Sequence, residues 1–358
     1  MHRILVSLTL IILWKPVSSV AQFETFLPQK PAFADGATLA REYTNPIGGA
    51  IRMGDPFILV DSMEFFLYGT TATGTGFKYW RSMNLTDWKE GGFAYRKHED
   101  SWPGKTFWAP EVAKIRGQYY MVFSAQPEST KDFSVRICLA VSDRPEGPFE
   151  DLYSPLLDDG ESCIDGHLFV DTDGTPYLFF TRVGVVVIGG KRFLSGKNYG
   201  AKLKPDLSGI DGEPMLCSEA DQPWELPALG RSRCTEGAFV FQENGTYYMT
   251  YSANHYAEPF YGIGYSTAPS PLGPWTKSPD NPLVSQVPDK DISGPGHNCM
   301  IKLPGSDDWF MVYHTHADPS NPSGERKVNI DRLIIRDDGR LELKGPTRTP
   351  QPLPLSPK

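Results

Sequence analysis

The chain has 358 residues and a formal net charge of −8, and it lacks a cluster of basic side chains that would favour a nucleic-acid partner. Glycine and proline, with 34 and 32 residues, together approach a fifth of the chain. No segment shows a helical apolar period with caps at both ends. The composition therefore excludes a helical bundle and predicts an all-β protein, which at this length can be one domain.

The amino-terminal segment differs in composition from the rest of the chain. Residues 1–3 include a basic side chain, residues 4–14 form an apolar run, and small residues close the segment at 18–21. The run is too short to span a bilayer. We interpret residues 1–21 as a secretory signal peptide, with an uncleaved membrane anchor as the alternative. The mature protein is then expected to be secreted or periplasmic, without a membrane partner.

A short hairpin pattern with an acid or a histidine at its start recurs five times along the rest of the chain. In the clearest copy, Glu236 precedes an apolar run, an Asn244-Gly245 turn and an aromatic run over 247–251. Two β-prone runs separated by an Asn-Gly pair are the strongest short-range hairpin signal. The lead residues of the five copies are Asp55, Glu111, Asp165, Glu236 and His297.

Five similar units, spaced about 50 to 70 residues apart, predict a five-bladed β-propeller with one four-stranded sheet per repeat. The first strand of every blade in a propeller lines the central channel, so we expect the five lead residues to converge at one mouth. We expect residues 22–358 to form this propeller as a single domain and a monomer. Residues 187–232 are expected to hold the outer strands of blade three and a loop before blade four.

The five cysteines do not show the paired short spacing of a zinc site. Cys163 and Cys234 each lie two residues before a lead acid, and in extended strands they share a face with that acid. Two outcomes stay open at this stage. The two cysteines can form a disulfide between neighbouring blades, or they can be buried free thiols.

Carboxyl groups gathered on apolar strands provide the chemistry of acid-base hydrolysis. Burial raises carboxyl pKa values, and crowding of like charges spreads them further apart. A glycosidase needs one protonated carboxyl to donate to the leaving oxygen and one ionised carboxylate on the opposite side of the sugar. A third acid beside the donor can hold its proton, so three acids on three inner strands can supply all of these roles.

Short motifs surround the lead residues. They are Gly54-Asp55-Pro56-Phe57, Trp108-Ala109-Pro110-Glu111-Val112, Ile164-Asp165-Gly166-His167-Leu168-Phe169, Thr235-Glu236-Gly237-Ala238 and Gly296-His297-Asn298. This series resembles the blade motifs of glycoside hydrolase family 43, the five-bladed propeller arabinanases, arabinofuranosidases and β-xylosidases. The resemblance implies that Asp55 is the general base, Glu236 the general acid and Asp165 the acid that raises the pKa of the donor. It also implies inversion at the anomeric carbon, with the carboxyl groups of Asp55 and Glu236 about 6.5 to 9.5 Å apart.

Other residues are candidates for contact with the substrate. Trp108, Phe57 and Tyr251 are candidate sugar-stacking faces, and His297 and Arg332 are candidate polar contacts. Glu111 is expected to shape the pocket through Trp108 rather than to take part in catalysis. The resemblance further allows a calcium or sodium ion in the central channel near His297, although one imidazole does not form a hard-cation site. No other cofactor is expected.

These features predict a secreted, inverting glycoside hydrolase that acts on arabinose- or xylose-bearing plant polysaccharides or oligosaccharides. We favour an α-L-arabinofuranosidase, because the chain ends too soon after blade five to hold the β-sandwich that many β-xylosidases of the family carry. A β-D-xylosidase or an endo-arabinanase of the same fold is the alternative. A propeller that binds carbohydrate without cutting it is an alternative of a different class, against which the presence of all three acids argues.

Overall fold

The computed structural model describes residues 42–354, so the predicted signal peptide at residues 1–21 lies outside the described residues. The described chain is almost entirely β-structure, with only two single-turn 3-10 helices, at Pro223–Glu225 and Pro288–Lys290. Over residues 42–354, none of the helices has the length and apolar character needed to cross a membrane. The predicted all-β class is confirmed.

The strands follow one another in five units of four, which are the blades; blades one, two and five are separate sheets, whereas parallel pairing of one strand from each joins blades three and four into one eight-stranded sheet. Blade one contains β2 (Gly54–Asp61), β3 (Glu64–Thr70), β4 (Gly76–Ser82) and β5 (Lys89–Arg96). Blade two contains β6 (Lys105–Ile115), β7 (Gln118–Gln126), β8 (Arg136–Ser142) and β9 (Glu150–Leu157). Blade three contains β10 (Ser162–Val170), β11 (Pro176–Ile188), β12 (Lys191–Lys202) and β13 (Met215–Ser218). Blade four contains β14 (Ser232–Glu243), β15 (Thr246–Ala253), β16 (Gly262–Ala268) and β17 (Thr276–Lys277). Blade five contains β18 (Gly296–Lys302), β19 (Trp309–His316), β20 (Arg326–Ile335) and β21 (Leu341–Leu343).

The first strands of the blades form a closed inner ring. Strand β2 lies against β6, β6 against β10, β10 against β14, and β14 against β18, while β18 returns to contact β2. This closure confirms the predicted five-bladed propeller. Outside the blades, β1 (Glu42–Tyr43) pairs with β22 (Gln351–Pro352), which holds the two ends of the described chain together.

The hydrophobic core lies between adjacent blades. Between blades one and two, for example, Phe77 and Phe107 approach edge to face with ring centroids 5.8 Å apart, and Tyr95 lies 4.9 Å from Phe123. Similar clusters separate the other blades. Each buried aromatic ring stabilises the fold by about 1.5 to 3 kcal/mol, so the packing between sheets holds the inner ring together.

Each first strand is interrupted by a β-bulge near its start, and the bulge residue has left-handed backbone. These residues are Asp55 (φ 53°), Ala109 (φ 44°), Asp165 (φ 57°), Gly237 (φ 59°) and His297 (φ 45°). Left-handed backbone costs a residue other than glycine on the order of 1 to 3 kcal/mol. Bulges are common beside active sites because they re-aim a side chain, here at the same level in every blade.

The backbone N–H of the bulge residue is held by the preceding blade in four of the five cases. Ala109 donates to Thr70 Oγ1 at 2.8 Å, Asp165 to Ser124 Oγ at 2.9 Å, His297 to Ser252 Oγ at 2.7 Å and Asp55 to His314 Nδ1 at 3.2 Å. All four acceptors lie opposite the residue that begins the bulge of their own blade. Each hydrogen bond contributes about 1 kcal/mol, which partly offsets the backbone strain and positions each lead residue against its neighbour blade.

Blade three differs from the other blades by a long ribbon formed from β11 and β12, which pair continuously to the turn at 189–190. Strand β10 pairs with β11 only as far as Ser162 opposite Val183. Residues 184–195 therefore project beyond the blade, at the end where Asp165 lies. The expected outer strands of blade three are present, but the ribbon takes up the first part of the 187–232 segment and was not predicted.

All five cysteines are free thiols, and Cys163 and Cys234 are both buried. Of the two outcomes left open by the sequence, the structure has buried free thiols and no disulfide between blades three and four.

Candidate active site

The lead residues of blades one, three and five meet at the mouth of the channel, with His297 in the middle. The Nδ1 atom of His297 lies 3.6 Å from Asp55 Oδ1 and 4.0 Å from Asp165 Oδ2. Blade four reaches the same imidazole through Gly237, the residue after Glu236. A Cβ atom on Gly237 would lie only 3.1 Å from His297 Nδ1, so this position favours glycine for both space and backbone conformation.

Asp55 is an ionised carboxylate surrounded by hydrogen-bond donors and positive charge. Arg326 Nη1 lies 2.8 Å from Oδ1, and the Thr70 hydroxyl donates to Oδ2 at 2.6 Å. Burial by itself raises the pKa of Asp55, but Arg326, His297, His314 and the Thr70 hydrogen bond together hold that pKa well below its usual range. Asp55 therefore stays negatively charged throughout the ordinary pH range.

Asp165 has the opposite character. Burial raises the pKa of Asp165 to about 8; His297 opposes the rise, while Glu236, Asp55 and Glu111 add to it. At neutral pH this acid is mostly protonated. The two aspartates that flank His297 thus differ in charge, although both hold the same position in their blades.

His297 and His314, both of blade five, have pKa values that are shifted in opposite directions. Burial lowers the pKa of His297, but the carboxyl groups of Asp55 and Asp165 outweigh it, and the pKa is raised overall. Burial and the charge of Arg326 keep the pKa of His314 well below its usual range. A neutral His314 agrees with its hydrogen bond, because Nδ1 must be unprotonated to accept the N–H of Asp55.

Glu236 is held by one strong and one weak partner. Tyr261 donates its hydroxyl to Oε1 at 2.7 Å, and the thiol of Cys234 lies 3.3 Å from Oε2. A thiol is both a weak donor and a weak acceptor, so a proton on Oε2 is tolerated. The ring of Tyr261 stacks on that of His314 with centroids 5.8 Å apart, which places Tyr261 between Glu236 and the group that binds the backbone of Asp55.

Glu111 lies below the mouth rather than in it, which corrects the expected convergence of all five lead residues. The bulge residue of blade two is Ala109, so Glu111 is two positions further along its strand. Its Oε2 atom lies 2.6 Å from His167 Nδ1, and His167 Nε2 lies 3.1 Å from the carbonyl oxygen of Val240. Glu111 therefore belongs to a buried pair that links three first strands beneath the acids.

The predicted substrate contacts have different positions in the structure. Trp108 is half-buried on blade two, and its ring centroid lies 6.1 Å from that of Phe133, which is exposed. Phe57 packs instead against the core and lies 6.5 Å from Phe239. Phe57 is therefore largely a packing residue. Tyr251 is fully buried and donates its hydroxyl to Glu225 Oε1 at 2.7 Å, so it is not a sugar-stacking face.

Arg332 was predicted as a polar contact but does not reach the acids. The arginine that reaches them is Arg326. Arg332 forms an ion pair with Asp308, and its guanidinium lies 5.1 Å from the centroid of the Phe310 ring. Arg326 begins the same strand, β20, and reaches Asp55. Six residues of strand correspond to about 20 Å, so the two arginines lie at opposite ends of the blade.

Sequence reasoning also missed Tyr261, Thr70 and His314. Tyr261 lies immediately before the third strand of blade four, and Arg326 is the first residue of the third strand of blade five, both close to the mouth. Thr70 and His314 lie near the ends of second strands, opposite the start of the bulge in the first strand. A search of these two positions in every repeat would have found all four residues.

The geometry supplies few ligands for the channel ion that the resemblance allows. Within residues 42–354, no group of three or more His, Cys, Asp and Glu side chains is placed to hold a metal ion. His297 directs Nδ1 toward two acids, and Glu111 is engaged by His167. These residues do not fit a hard cation, which takes six to eight oxygen ligands for calcium.

Replacing Arg326 with methionine should shift the acid limb of the pH profile for kcat/KM. Without the guanidinium the pKa of Asp55 rises, so the carboxylate is protonated, and activity lost, at higher pH than in the wild type. An opposite charge at this distance is worth about one to three pH units. The matched control is Arg332→Met, which should leave the profile unchanged. If the two variants had the same pH profile of kcat/KM, Arg326 would not be the residue that lowers the pKa of Asp55.

The arrangement can perform acid-base hydrolysis. An ionised carboxylate, an acid whose pKa burial raises and an imidazole whose pKa the neighbouring carboxyl groups raise share one mouth, and a fourth group, Glu236, faces them with a weakly held oxygen. Proton donation and water activation by carboxyl groups of unequal pKa are the features of glycoside hydrolysis. Fold and site together define a propeller enzyme of the glycoside hydrolase class.

Comparisons with known proteins agree with this class. The family model of the glycosyl hydrolases family 43 matches residues 43–341. A crystal structure of a thermostable family-43 glycoside hydrolase is 44% identical, with a TM-score of 0.82, over 88% of this chain and 100% of that chain. The β-D-galactofuranosidase xynD of Aspergillus niger is 25% identical over 305 residues, which cover 80% of this chain and 81% of that protein. The xylosidase/arabinosidase 43A of Humicola insolens is 27% identical over 281 residues, 71% of this chain and 80% of that protein.

The chain belongs to glycoside hydrolase family 43. It is accordingly an O-glycosyl hydrolase of a family whose members invert the anomeric centre. The predicted family and enzyme class are confirmed, and a purely carbohydrate-binding propeller is not supported.

Proposed function

We propose that this protein is a secreted exo-acting or side-chain-removing α-L-arabinofuranosidase of plant polysaccharides. The observation that carries the proposal is the grouping of Asp55, Asp165 and Glu236 around one histidine, His297, at the channel mouth.

The name of one relative points to a furanose as the bound sugar. It is described as a galactofuranosidase, whereas others are described as a xylosidase/arabinosidase and a β-xylosidase. The ring of α-L-arabinofuranose has the same configuration as that of β-D-galactofuranose, which carries one additional hydroxymethyl group. A pocket that accepts one of these rings can accept the other, whereas the xylopyranose ring has a different shape. This supports arabinofuranosidase over β-D-xylosidase activity.

In the proposed mechanism Asp55 takes a proton from water as that water attacks the anomeric carbon. The bond from the anomeric carbon to the glycosidic oxygen breaks, and Glu236 gives its proton to that oxygen. Asp165 is the third acid, which orients the donor; in its ionised form, its negative charge raises the pKa of the donor. An inverting enzyme needs the base and the acid about 6.5 to 9.5 Å apart, so that the water fits between Asp55 and the sugar.

Assays with p-nitrophenyl α-L-arabinofuranoside, p-nitrophenyl β-D-xylopyranoside and linear arabinan test the specificity. We expect kcat/KM for the arabinofuranoside to exceed that for the xylopyranoside at least about tenfold, since one badly accommodated sugar group is worth about 1 to 3 kcal/mol. A preference for the xylopyranoside would assign β-D-xylosidase activity, and rapid internal cleavage of arabinan would assign an endo-arabinanase. Secretion, proposed from residues 1–21, is tested by sequencing the amino terminus of the mature protein.

A further inference from the structure

The projecting ribbon of blade three forms one wall of a groove beside the active site. The groove has a volume of roughly 670 Å³ and is open to solvent. The ribbon lines one side, and the segments that lead into β14 and out of β15 line the other. The lining residues are Val185, Lys191, Arg192, Phe193, Leu194, Gly230, Arg231 and His255.

The groove starts on the side of the mouth that Glu236 occupies. Leu194 pairs in parallel with Ser232, four residues before Glu236, and its N–H donates to the carbonyl oxygen of Arg231 at 3.2 Å. His255 follows β15, in which Ser252 lies directly opposite Glu236. Because the proposed acid protonates the leaving oxygen, the groove lies where the leaving-group part of the substrate continues.

The lining of this groove is cationic, whereas the whole chain has a net charge of −8. It contains Lys191, Arg192 and Arg231 and no carboxylate. Glu258 neutralises Arg231, with Nε and Oε1 3.1 Å apart. Among the ion pairs formed within residues 42–354, none involves Lys191 or Arg192, so two positive charges at the end of the ribbon remain available to a ligand.

The groove also offers apolar surface suited to a sugar ring. Val185 and Leu194, which both line the groove, are 50% and 49% exposed and pair with each other across β11 and β12. Phe193 is half-buried, and the guanidinium of Arg233 lies 4.1 Å from its ring centroid, which holds the ring in place. Apolar faces beside cationic groups match a sugar that presents C–H bonds on one side and a negative charge on its edge.

We propose that this groove binds a uronic-acid unit of the glycan on the leaving-group side. The carboxylate of the uronate pairs with Arg192, which lies on the same strand face as Val185 and Leu194, and the sugar ring lies against these two apolar residues. Lys191, on the other face at the end of the ribbon, adds to the positive charge of the groove. The inference rests on the proposed function, because the protein must first remove a sugar from a polysaccharide for this side to be a leaving-group side.

Two matched substrates test the proposal. Arabinose-substituted xylan oligosaccharides are prepared with a glucuronic-acid substituent and with its carboxyl-reduced, neutral counterpart. We expect wild-type kcat/KM to be about tenfold higher for the acidic substrate at low salt, and this preference to shrink as salt rises because exposed charges are screened. In the double variant Lys191→Gln, Arg192→Gln the ratio of acidic to neutral kcat/KM should fall about tenfold, to near one.

The control variant Lys89→Gln, Lys204→Gln removes the same charge at the opposite end of blades one and three, where both side chains are exposed. It should keep the wild-type ratio, and thermal unfolding should show that both double variants are folded. An unchanged ratio in the ribbon variant would overturn the proposal, as would a low ratio in the control, since the effect would then reflect net charge alone.

A binding measurement separates this inference from the proposed function. Calorimetric titration of glucuronate-bearing xylan oligosaccharides, without arabinose, into the Glu236→Gln variant should show binding that the ribbon variant weakens at least about fivefold. Equal binding of a sulfated neutral oligosaccharide would overturn the assignment to uronate. An enzyme inactive on all arabinofuranosides but with intact ribbon-dependent uronate binding would contradict the proposed function alone, whereas an active enzyme without such binding would contradict only the groove.

Discussion

Glutamine in place of Glu236 is expected to lower kcat on an arabino-oligosaccharide about 10³-fold, while hydrolysis of a 2,4-dinitrophenyl arabinofuranoside falls far less. A sugar leaving group departs as a strongly basic alkoxide unless a proton is supplied, and a positioned acid contributes about 10² to 10⁴ in rate. Dinitrophenolate is a stable anion and leaves without that proton. The amide of glutamine keeps the shape of the side chain and its contact with Tyr261, so the comparison isolates the proton.

The control for this variant lies on the same strand. Glu243 ends β14, far from the mouth, and pairs with Lys302 at 3.1 Å. Glu243→Gln should keep wild-type rates on both substrates. If the Glu236→Gln variant lost the same factor in rate on both substrates, Glu236 would not be the proton donor. If both rates stayed near those of the wild type, Glu236 would have no part in the mechanism.

Alanine in place of Asp55 is expected to lower kcat at least about 10³-fold, because the attacking water loses its base. Small anions should then restore part of the rate. The substitution leaves a space beside Arg326, Thr70 and His297, the three residues that contact the carboxylate in the wild-type protein. Azide can occupy this space, held by the guanidinium, and attack the anomeric carbon of an aryl arabinofuranoside without a base.

The product distinguishes the mechanism of the Asp55→Ala variant. Attack from the face that water normally uses gives an arabinofuranosyl azide of inverted configuration, which proton NMR identifies. The control is Asp61→Ala at the other end of β2, where Lys114 and Tyr119 bind the carboxylate. The Asp61→Ala variant should hydrolyse the aryl arabinofuranoside at the wild-type rate and form no arabinofuranosyl azide. If the arabinofuranosyl azide formed by the Asp55→Ala variant had retained configuration, the assignment of Asp55 as the base would be wrong.

Sequence reasoning was most successful where the function depends on repetition. The strands of the five repeats, and the positions of Asp55, Asp165, Glu236 and His297 at their starts, were predicted because hairpin and turn signals act over about ten residues. It failed where two similar residues differ only in which end of a strand they occupy. Arg332 and Arg326 have the same chemistry, and the bounds of β20 decide which of them meets Asp55.

The sequence by itself thus determined the repeats, the propeller and the acids, since each follows from local patterns of side chains. Only the tertiary structure decided how those acids differ. Asp55 is ionised because Arg326 of another blade reaches it, and Asp165 is mostly protonated because it is buried among carboxyl groups. Burial and the approach of distant charges depend on how sheets pack around the channel, so no local pattern in the chain specifies them.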